Sequence, residues 1–177
     1  MRRLSLLLIL AAALPACGIY DSAIPIDEPA AASFDPALVG SWLAESEEDA
    51  DALVQVHRFN EREYLIEWSE VEHSTRAPQT ARAFVTILDD ARFLNIQALD
   101  EPELAARKFS FARYDLAGDI LRVRWVATPG DDTRGIEEQF ASSAALRAAL
   151  RARLHDPTLY ADEELVLRRI RRQAASR

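Results

Sequence analysis

The sequence predicts a mainly β domain of antiparallel strands with one amphipathic C-terminal helix. After Gly40, apolar and polar residues alternate in short runs separated by turn residues, which is typical of antiparallel strands. After Ser142, apolar residues recur about every three to four positions, which is typical of a helix packed on one side. The predicted domain covers 38–172, and residues 173–177 are interpreted as a flexible tail.

The first 16 residues have the build of a secretory signal peptide. Arg2 and Arg3 form a positive start, and an apolar run from Leu4 to Ala16 ends in small residues. As a helix this run extends about 20 Å, which is shorter than the roughly 30 Å hydrocarbon core of a bilayer. A cleaved leader is therefore favoured over a permanent transmembrane helix.

The leader ends at the single cysteine of the chain, in the stretch Leu14-Pro15-Ala16-Cys17. This stretch resembles the bacterial lipobox, in which an aliphatic and a small residue precede an obligatory cysteine. The resemblance implies that Cys17 becomes the first mature residue and carries acyl chains such as palmitate. Several acyl chains at one site give firm membrane anchoring. The alternatives are an ordinary signal peptide and a buried cysteine.

Residues 17–37 are interpreted as the acylated cysteine followed by a tether rich in proline and alanine. The stretch contains Pro25, Pro29 and Pro36 and has no sustained apolar period, which favours a semi-extended linker. Gly18 stands where an aspartate would signal retention in the inner membrane. The lipobox resemblance therefore implies a cell-envelope lipoprotein on the periplasmic face, with the outer membrane favoured.

Charge and cysteine content exclude some classes of protein. The formal net charge is −8, and loss of the leader with Arg2 and Arg3 takes it to −10. An acidic chain of this kind is poorly suited to nucleic acid, which requires basic patches. One cysteine permits no intrachain disulfide, so an exported domain depends on its hydrophobic core. The basic stretch 168–177 is interpreted as a solvated end, with contact to anionic lipid near the anchor as the alternative.

The alternating runs predict a series of strands joined by short turns. Gly118 is suited to a tight hairpin turn between two of the longer strands. In the second of these strands, Leu121, Val123 and Trp125 alternate with arginines, which sets the arginines on the solvent face. The predicted strands cover residues 40–44, 52–59, 64–71, 81–88, 92–99, 108–116, 119–127 and 135–140.

The predicted helix follows a pair of serines that can cap its N terminus, and it ends before Pro157. Leu146, Leu150 and Leu154 lie four residues apart and form one apolar stripe. The stripe is expected to pack on the sheet or close one end of a barrel rather than bind a partner. The segment 161–170 fits either a strand or a helix, and a closing strand is favoured.

The order of these features resembles small, uncharacterised bacterial lipoproteins with a lipocalin-like β-barrel of about eight strands. The resemblance covers residues 40–170 and includes Gly40-Ser41-Trp42 on the first strand. It implies that Trp42 plugs the closed end of the barrel beneath an arginine of the last strand, either Arg168 or Arg169. Strand phase puts Arg169 on the same face as Leu165 and Leu167.

No pattern of catalytic residues is found in the sequence, so we expect a protein that is not an enzyme and has no cofactor. His57, His73 and His155 do not have the spacing of metal ligands. A phosphate-binding glycine loop and a nucleophile elbow are absent from the sequence. The acidic stretch 45–51 lacks the ordered alternation and glycine of a calcium loop, so a solvated loop is favoured.

A barrel of about eight strands is either filled by its own side chains or holds one small ligand. We expect Tyr64, Trp68, Phe109, Phe111 and Trp125 to face the interior. They would line a cavity that opens at one mouth and has a few hundred Å³, the common scale for ligand sites. A small apolar or amphipathic ligand is the predicted occupant. The alternative is a non-catalytic structural or interaction module of an envelope complex, with a filled interior.

Arg113 lies in phase with two of these phenylalanines and is expected to point inward near the mouth. A buried cation needs a partner. A ligand carboxylate or phosphate could supply it; pairing with Asp115, Glu67 or water at the rim is favoured.

Overall fold

The computed structural model describes residues 18–44, 51–70, 78–100, 103, 107–130 and 133–171. The predicted signal peptide, Cys17 and the tail 173–177 lie outside these residues, as do His73 and most of the acidic stretch 45–51. None of the helices in the described part is both long enough and apolar enough to cross a membrane. The strands and helix are β1 (Asp21–Ser22), β2 (Gly40–Ala44), β3 (Ala52–Arg58), β4 (Glu63–Glu70), β5 (Gln79–Leu88), β6 (Ala91–Ala98), β7 (Phe109–Ala117), β8 (Ile120–Trp125), α1 (Ser143–Ala152) and β9 (Leu165–Arg169).

Strands β2 to β9 form a closed antiparallel barrel. Each strand pairs with the next one along the chain, and β9 pairs with both β8 and β2. Leu167 of β9 lies opposite Leu121 of β8 on one side and opposite Ala44 of β2 on the other. Because every barrel strand has two neighbours, closure removes the free edges. The prediction of a mainly β antiparallel barrel of about eight strands with one helix is confirmed.

The predicted strand at 135–140 is wrong. The eighth strand of the barrel lies instead in the segment 161–170, which the sequence favoured as the closing strand. Residues 135–140 form no strand. A Cβ atom at Gly135 would clash with the backbone of Ala127 and Thr128, and the Ile136 side chain is buried beside the helix. The eighth barrel strand is β9, within 161–170.

The helix α1 lies between β8 and β9, so a barrel strand follows it in the chain. The Ser142 hydroxyl caps its N terminus by accepting a hydrogen bond from the Ala145 N–H (3.3 Å). Leu146, Leu150 and Leu154 are buried in a cluster with aromatic side chains from the outer faces of β6 and β7. The leucine stripe therefore packs on the sheet from outside and does not close an end of the barrel.

The segment 18–37 is an ordered part of the domain, which corrects its interpretation as a tether. Tyr20 and Ile26 have 1% and 0% of their surface exposed. The Ile26 N–H donates to Asn95 Oδ1 (2.8 Å), and the Tyr20 N–H donates to the Val126 carbonyl (2.8 Å). Pro29 and Pro36 begin short 3₁₀ turns, where a missing N–H costs no hydrogen bond. Sparse apolar residues can thus anchor a segment that lacks a regular period.

The domain has two hydrophobic cores, one on each side of the barrel wall. The inner core fills much of the barrel and includes Trp42 and Tyr64. The outer core joins the segment 18–37 and α1 to the outer faces of β5, β6 and β7. The wall is therefore covered on both faces over these strands, as in sheets that carry helices on their outer side.

We predict that Ile26→Ala destabilises the domain although Ile26 lies outside the barrel. Truncating a fully buried isoleucine costs about 2–5 kcal/mol through lost burial and the cavity left behind. The matched control is Ile87→Ala, since Ile87 is 45% exposed and surface changes usually stay within about 0.5 kcal/mol. Denaturant unfolding of both variants measures the difference. Equal stabilities would contradict the packed arrangement of residues 18–37.

Candidate ligand-binding site

An arginine stacked on a tryptophan closes one end of the barrel. The Arg169 guanidinium lies 4.1 Å from the centroid of the Trp42 ring, and Trp42 is fully buried. Arg169 Nη1 donates to the Val39 carbonyl (2.9 Å), and Nη2 donates to the Ala37 carbonyl. The Trp42 indole N–H donates to the Leu38 carbonyl (2.9 Å). The cation–π contact and the satisfied hydrogen bonds hold this closed end together.

Gly40 fits this closed end for two reasons. Its φ is +144°, a conformation that side chains rarely adopt. A Cβ atom there would also lie 2.7 Å from Arg169 Nη1. The structure thus brings Gly40, Trp42 and Arg169 together, with Arg169 rather than Arg168 over the indole.

A hydrogen-bonded cluster around Asp35 forms a second layer at the closed end. The Tyr64 hydroxyl donates to the Asp35 carbonyl (3.2 Å) and accepts from the Asp35 N–H (2.6 Å). The Tyr114 hydroxyl donates to Asp35 Oδ2 (3.1 Å), which Arg92 Nη1 also approaches at 3.3 Å. The Phe34 ring stacks on Tyr64, with 4.9 Å between the centroids.

Burial keeps both tyrosines of this layer protonated. It raises the pKa of Tyr64 from 10.0 to about 12, despite the hydrogen bond from the Asp35 backbone. Burial, reinforced by the negative charge of Asp35, raises the pKa of Tyr114 well above its usual range. We conclude that the floor of the barrel presents uncharged phenols at neutral pH.

Above this floor lies a cavity of about 130 Å³ inside the barrel. Its wall is mostly aliphatic, with Tyr64, Trp68 and Trp125 adding aromatic rings. The cavity extends to the other end of the barrel, where Ala98 and Ser110 contribute to its lining; we call this end the mouth. Its volume is smaller than the few hundred Å³ expected from the sequence. Further lining residues include Val54, Val56, Ile66, Leu94, Leu121 and Val123.

The structure corrects the predicted orientation of β7. Ser110, Ala112 and Tyr114 face the interior, whereas Phe109 and Phe111 pack in the outer core. Tyr20 lies against Phe111 with 5.9 Å between ring centroids, and Phe84 meets Phe109 edge-on at 6.1 Å. The two phenylalanines therefore support the outer layer and do not line the cavity.

The sequence contains a signal for this orientation of β7. Residues directly opposite each other in an antiparallel pair share a face. Ala112 lies opposite Trp125, and Tyr114 lies opposite Val123. A two-residue turn in the hairpin around Gly118 places even-numbered residues of β7 with odd-numbered residues of β8. Phe111 and Trp125 could therefore not both face inward.

Arg113 also lies outside the barrel. Its Nη1 donates to the Leu154 carbonyl just beyond α1 (3.3 Å), and its Nε lies 3.9 Å from Asp115 Oδ2. It thus pairs with Asp115, one of the partners that the sequence interpretation favoured. The expected inward cation, and with it a ligand carboxylate or phosphate as its partner, finds no support in this geometry.

Two lining features could not be identified from the sequence pattern. The side chain of Ile19 reaches the cavity because residues 18–20 pair with the chain that continues β8. In that pairing the Thr128 N–H donates to the Gly18 carbonyl (2.8 Å). Ser110 is 4% exposed and places a hydroxyl-bearing residue in the lining.

Comparison with known proteins adds no family assignment. No protein-family model, no curated protein and no solved structure matches this chain. Within the described ranges, no group of three or more His, Cys, Asp or Glu side chains is placed to hold a metal ion. The functional argument therefore depends on the cavity and its lining.

We predict that Gly40→Ala destabilises the domain more than Gly118→Ala. Both glycines have positive φ, at +144° and +61°, but a Cβ at Gly118 meets nothing within 4 Å. Gly118→Ala should cost about 1–2 kcal/mol through backbone strain alone, whereas Gly40→Ala also displaces Arg169. Denaturant unfolding measures both costs.

The clash can be separated from the strain by a double-mutant cycle. In an Arg169→Ala background, the extra cost of Gly40→Ala should shrink because the displaced guanidinium is already absent. Additive costs would show that Gly40 and Arg169 do not act together.

Proposed function

We propose that this protein is a lipid-anchored, lipocalin-like binding protein of the bacterial cell envelope that holds a small apolar or amphipathic molecule inside its barrel. The observation that carries the proposal is the cavity of about 130 Å³ with its apolar wall and neutral floor. Ligand sites are commonly concave and mostly apolar, with a few polar groups that orient the ligand. The barrel interior has this character.

The size of the cavity limits the ligand. Ligand sites for drug-sized molecules have roughly 300–1,000 Å³, whereas a dry apolar cavity of about 150 Å³ accepts benzene. A cavity of about 130 Å³ therefore suits a small ring or a short piece of an alkyl chain. We propose an occupant of that size, or a longer molecule of which only one end enters.

The lipocalin-like assignment is supported by the closed end. Gly40 and Trp42 lie on the first barrel strand, and Arg169 of the last strand stacks on the indole. The resemblance implied this combination and gave it a structural role. The contact between Arg169 and Trp42 supports a lipocalin-like barrel that is closed at one end, and it identifies no ligand.

The lipid anchor is supported by the leader and by Leu14-Pro15-Ala16-Cys17. Gly18, the next residue, is hydrogen-bonded to Thr128 beside the mouth. Acyl chains on Cys17 would therefore hold the mouth close to the bilayer surface, with no long tether between them. We propose the periplasmic face of the outer membrane as the location.

The basic C-terminal tail begins at the end of the barrel away from this anchor. The Ile170 N–H donates to the Ser41 carbonyl (2.8 Å), and Arg171 pairs with Asp119, both at the closed end. A strand of eight residues spans about 26 Å, so roughly that distance separates Arg171 from Gly18. This separation favours a solvated tail over a second lipid contact beside the anchor.

A non-catalytic structural or interaction module is the second candidate function. The observation that favours it is the small volume, since side chains already fill most of the barrel. The two candidate functions differ in whether a ligand occupies the remaining cavity of the barrel.

We predict that Ala98→Phe abolishes or weakens binding of a small apolar probe. The added ring would enter the cavity near its mouth, and overpacking of this kind should weaken binding by about tenfold or more. Ala117→Phe is the matched control, because Ala117 is exposed at the other end of β7. Native mass spectrometry for a copurifying molecule and titration with methylcyclohexane measure binding. No probe or copurifying molecule in the unsubstituted protein would favour the interaction module.

We predict that Cys17→Ser abolishes incorporation of radiolabelled palmitate and releases the protein from the membrane fraction. The serine hydroxyl cannot replace the thiol in thioether formation, so the leader is not processed to an acylated residue. Cys17 is the single cysteine of the chain, so no other thiol can accept the label. Equal labelling of the two proteins would contradict the lipid anchor.

A further inference from the structure

The cavity is a narrow channel that runs from the mouth to the floor of the barrel. Strand β4 contributes Tyr64, Ile66 and Trp68 to its wall, and β6 and β8 each contribute three alternate residues as well. The stretch from Tyr64 to Trp68 covers about 13 Å of strand, or about 10 Å along the axis of a barrel with tilted strands. A cavity of this depth with only about 130 Å³ of volume is narrow. Its shape fits the end of a single unbranched chain.

The inner end of the channel requires no polar group from a ligand. The Tyr64 hydroxyl there already donates to the Asp35 carbonyl (3.2 Å) and accepts from the Asp35 N–H (2.6 Å). The described lining residues include no charged side chain, so a charged group in the channel would lose its hydration without gaining a counter-charge. Ser110, which carries a hydroxyl group, lies at the mouth. A ligand therefore fits with its apolar end at the floor and its polar end outside the mouth.

The N-terminal end of the described chain is fixed to the rim of this channel. The Thr128 N–H donates to the Gly18 carbonyl (2.8 Å). Ile19 lies opposite Ala127, and its side chain lines the channel. The next residue, Tyr20, is buried in the outer core with 1% of its surface exposed. Gly18 is therefore held beside the mouth by backbone pairing and by the packing of its neighbours.

An acyl chain on Cys17 has the length to enter the channel. Cys17 lies outside the described residues and is bonded to Gly18, so its Cα is within about 7 Å of the Ile19 Cα. An acyl chain spans half of a hydrocarbon core of about 30 Å, or about 15 Å. That length covers the gap and most of a channel about 10 Å deep. Tethering also raises the local concentration of the chain at the mouth to roughly millimolar.

We propose that the ligand of the cavity is the protein's own lipid, and that the distal part of one acyl chain on Cys17 enters the channel methyl end first. The inference rests on the proposed lipid anchor and the proposed binding function, and it names the ligand of that site. Because several acyl chains are attached at one residue, one chain occupies the channel while the others stay in the bilayer. The channel and the bilayer core are both apolar, so the chain exchanges between them with little change in hydration.

The test places a synthetic chain on Cys17 of the full protein, which is made by cell-free synthesis so that the thiol is free. Cys17 is the single cysteine, so an iodoacetamide that carries an n-dodecyl group modifies this residue alone. Plain iodoacetamide gives the reference protein without a chain. We expect the dodecyl protein to bind 1-octanol more weakly than the reference by about tenfold or more, because the tethered chain competes at a roughly millimolar effective concentration. Calorimetric titration measures the difference.

The matched control carries the same dodecyl group at the closed end, on Ala117→Cys in a Cys17→Ser background. Ala117 is exposed at the end of β7 away from the mouth, so a chain attached there should leave octanol binding unchanged. A second measurement distinguishes entry of the chain from a blocked mouth. In the protein modified at Cys17, nuclear Overhauser spectra should show contacts between the terminal methyl of the dodecyl chain and Leu121, which lies at the inner end of the channel.

The outcomes separate entry of the acyl chain from the functions on which it rests. Equal octanol binding by the dodecyl and reference proteins, equal weakening by a chain on Ala117→Cys, or no methyl contact with Leu121 would overturn entry of the chain while the binding function stands. No octanol binding by the reference protein would overturn the binding function and the inference with it. Absence of palmitate on Cys17 in cells would overturn the anchor and the inference, and it would leave the binding function intact.

Discussion

The closing strand β9 is the element on which the rest of the structure depends. Residues 165–168 pair with β8 and residues 167–169 pair with β2, so the sheet closes only when β9 is in place. The same strand ends in Arg169, whose guanidinium covers Trp42 and binds the backbone before β2. One strand, β9, therefore closes both the barrel wall and one end of the barrel. The long chain between Trp125 and Leu165 makes this closure non-local, which costs loop entropy.

The outer layer explains how that non-local closure is held. Residues 18–37 and α1 pack on the outer faces of β5, β6 and β7, and α1 belongs to the excursion that leads to β9. Arg147 of α1 pairs with Asp27 of the N-terminal segment, which joins the two parts of the layer. Strands covered on both faces are apolar on both faces, so β7 carries phenylalanines outside and Ala112 and Tyr114 inside.

The position of Arg113 changes the chemistry expected of the site. With a cation inside the barrel, an anionic ligand would have a partner. Because Arg113 lies beneath the end of α1, the interior instead has an aliphatic wall and neutral tyrosines. The orientation of β7 thus removes the one cation that the sequence placed inside the barrel. The ordered segment 18–37 also places Gly18 beside the mouth, where its carbonyl accepts from the Thr128 N–H.

The strand-rich architecture, the helix with its serine cap and the role of the Gly40-Ser41-Trp42 stretch could be predicted from the sequence, because they depend on local periods and on single residues. Which face of β7 lies inside, how residues 18–37 pack and how much space remains in the barrel depend instead on long-range packing. Alternation identifies two faces of a strand, but it does not rank them when both are buried. Cavity volume depends on how side chains from distant strands meet, and such contacts have no local signature.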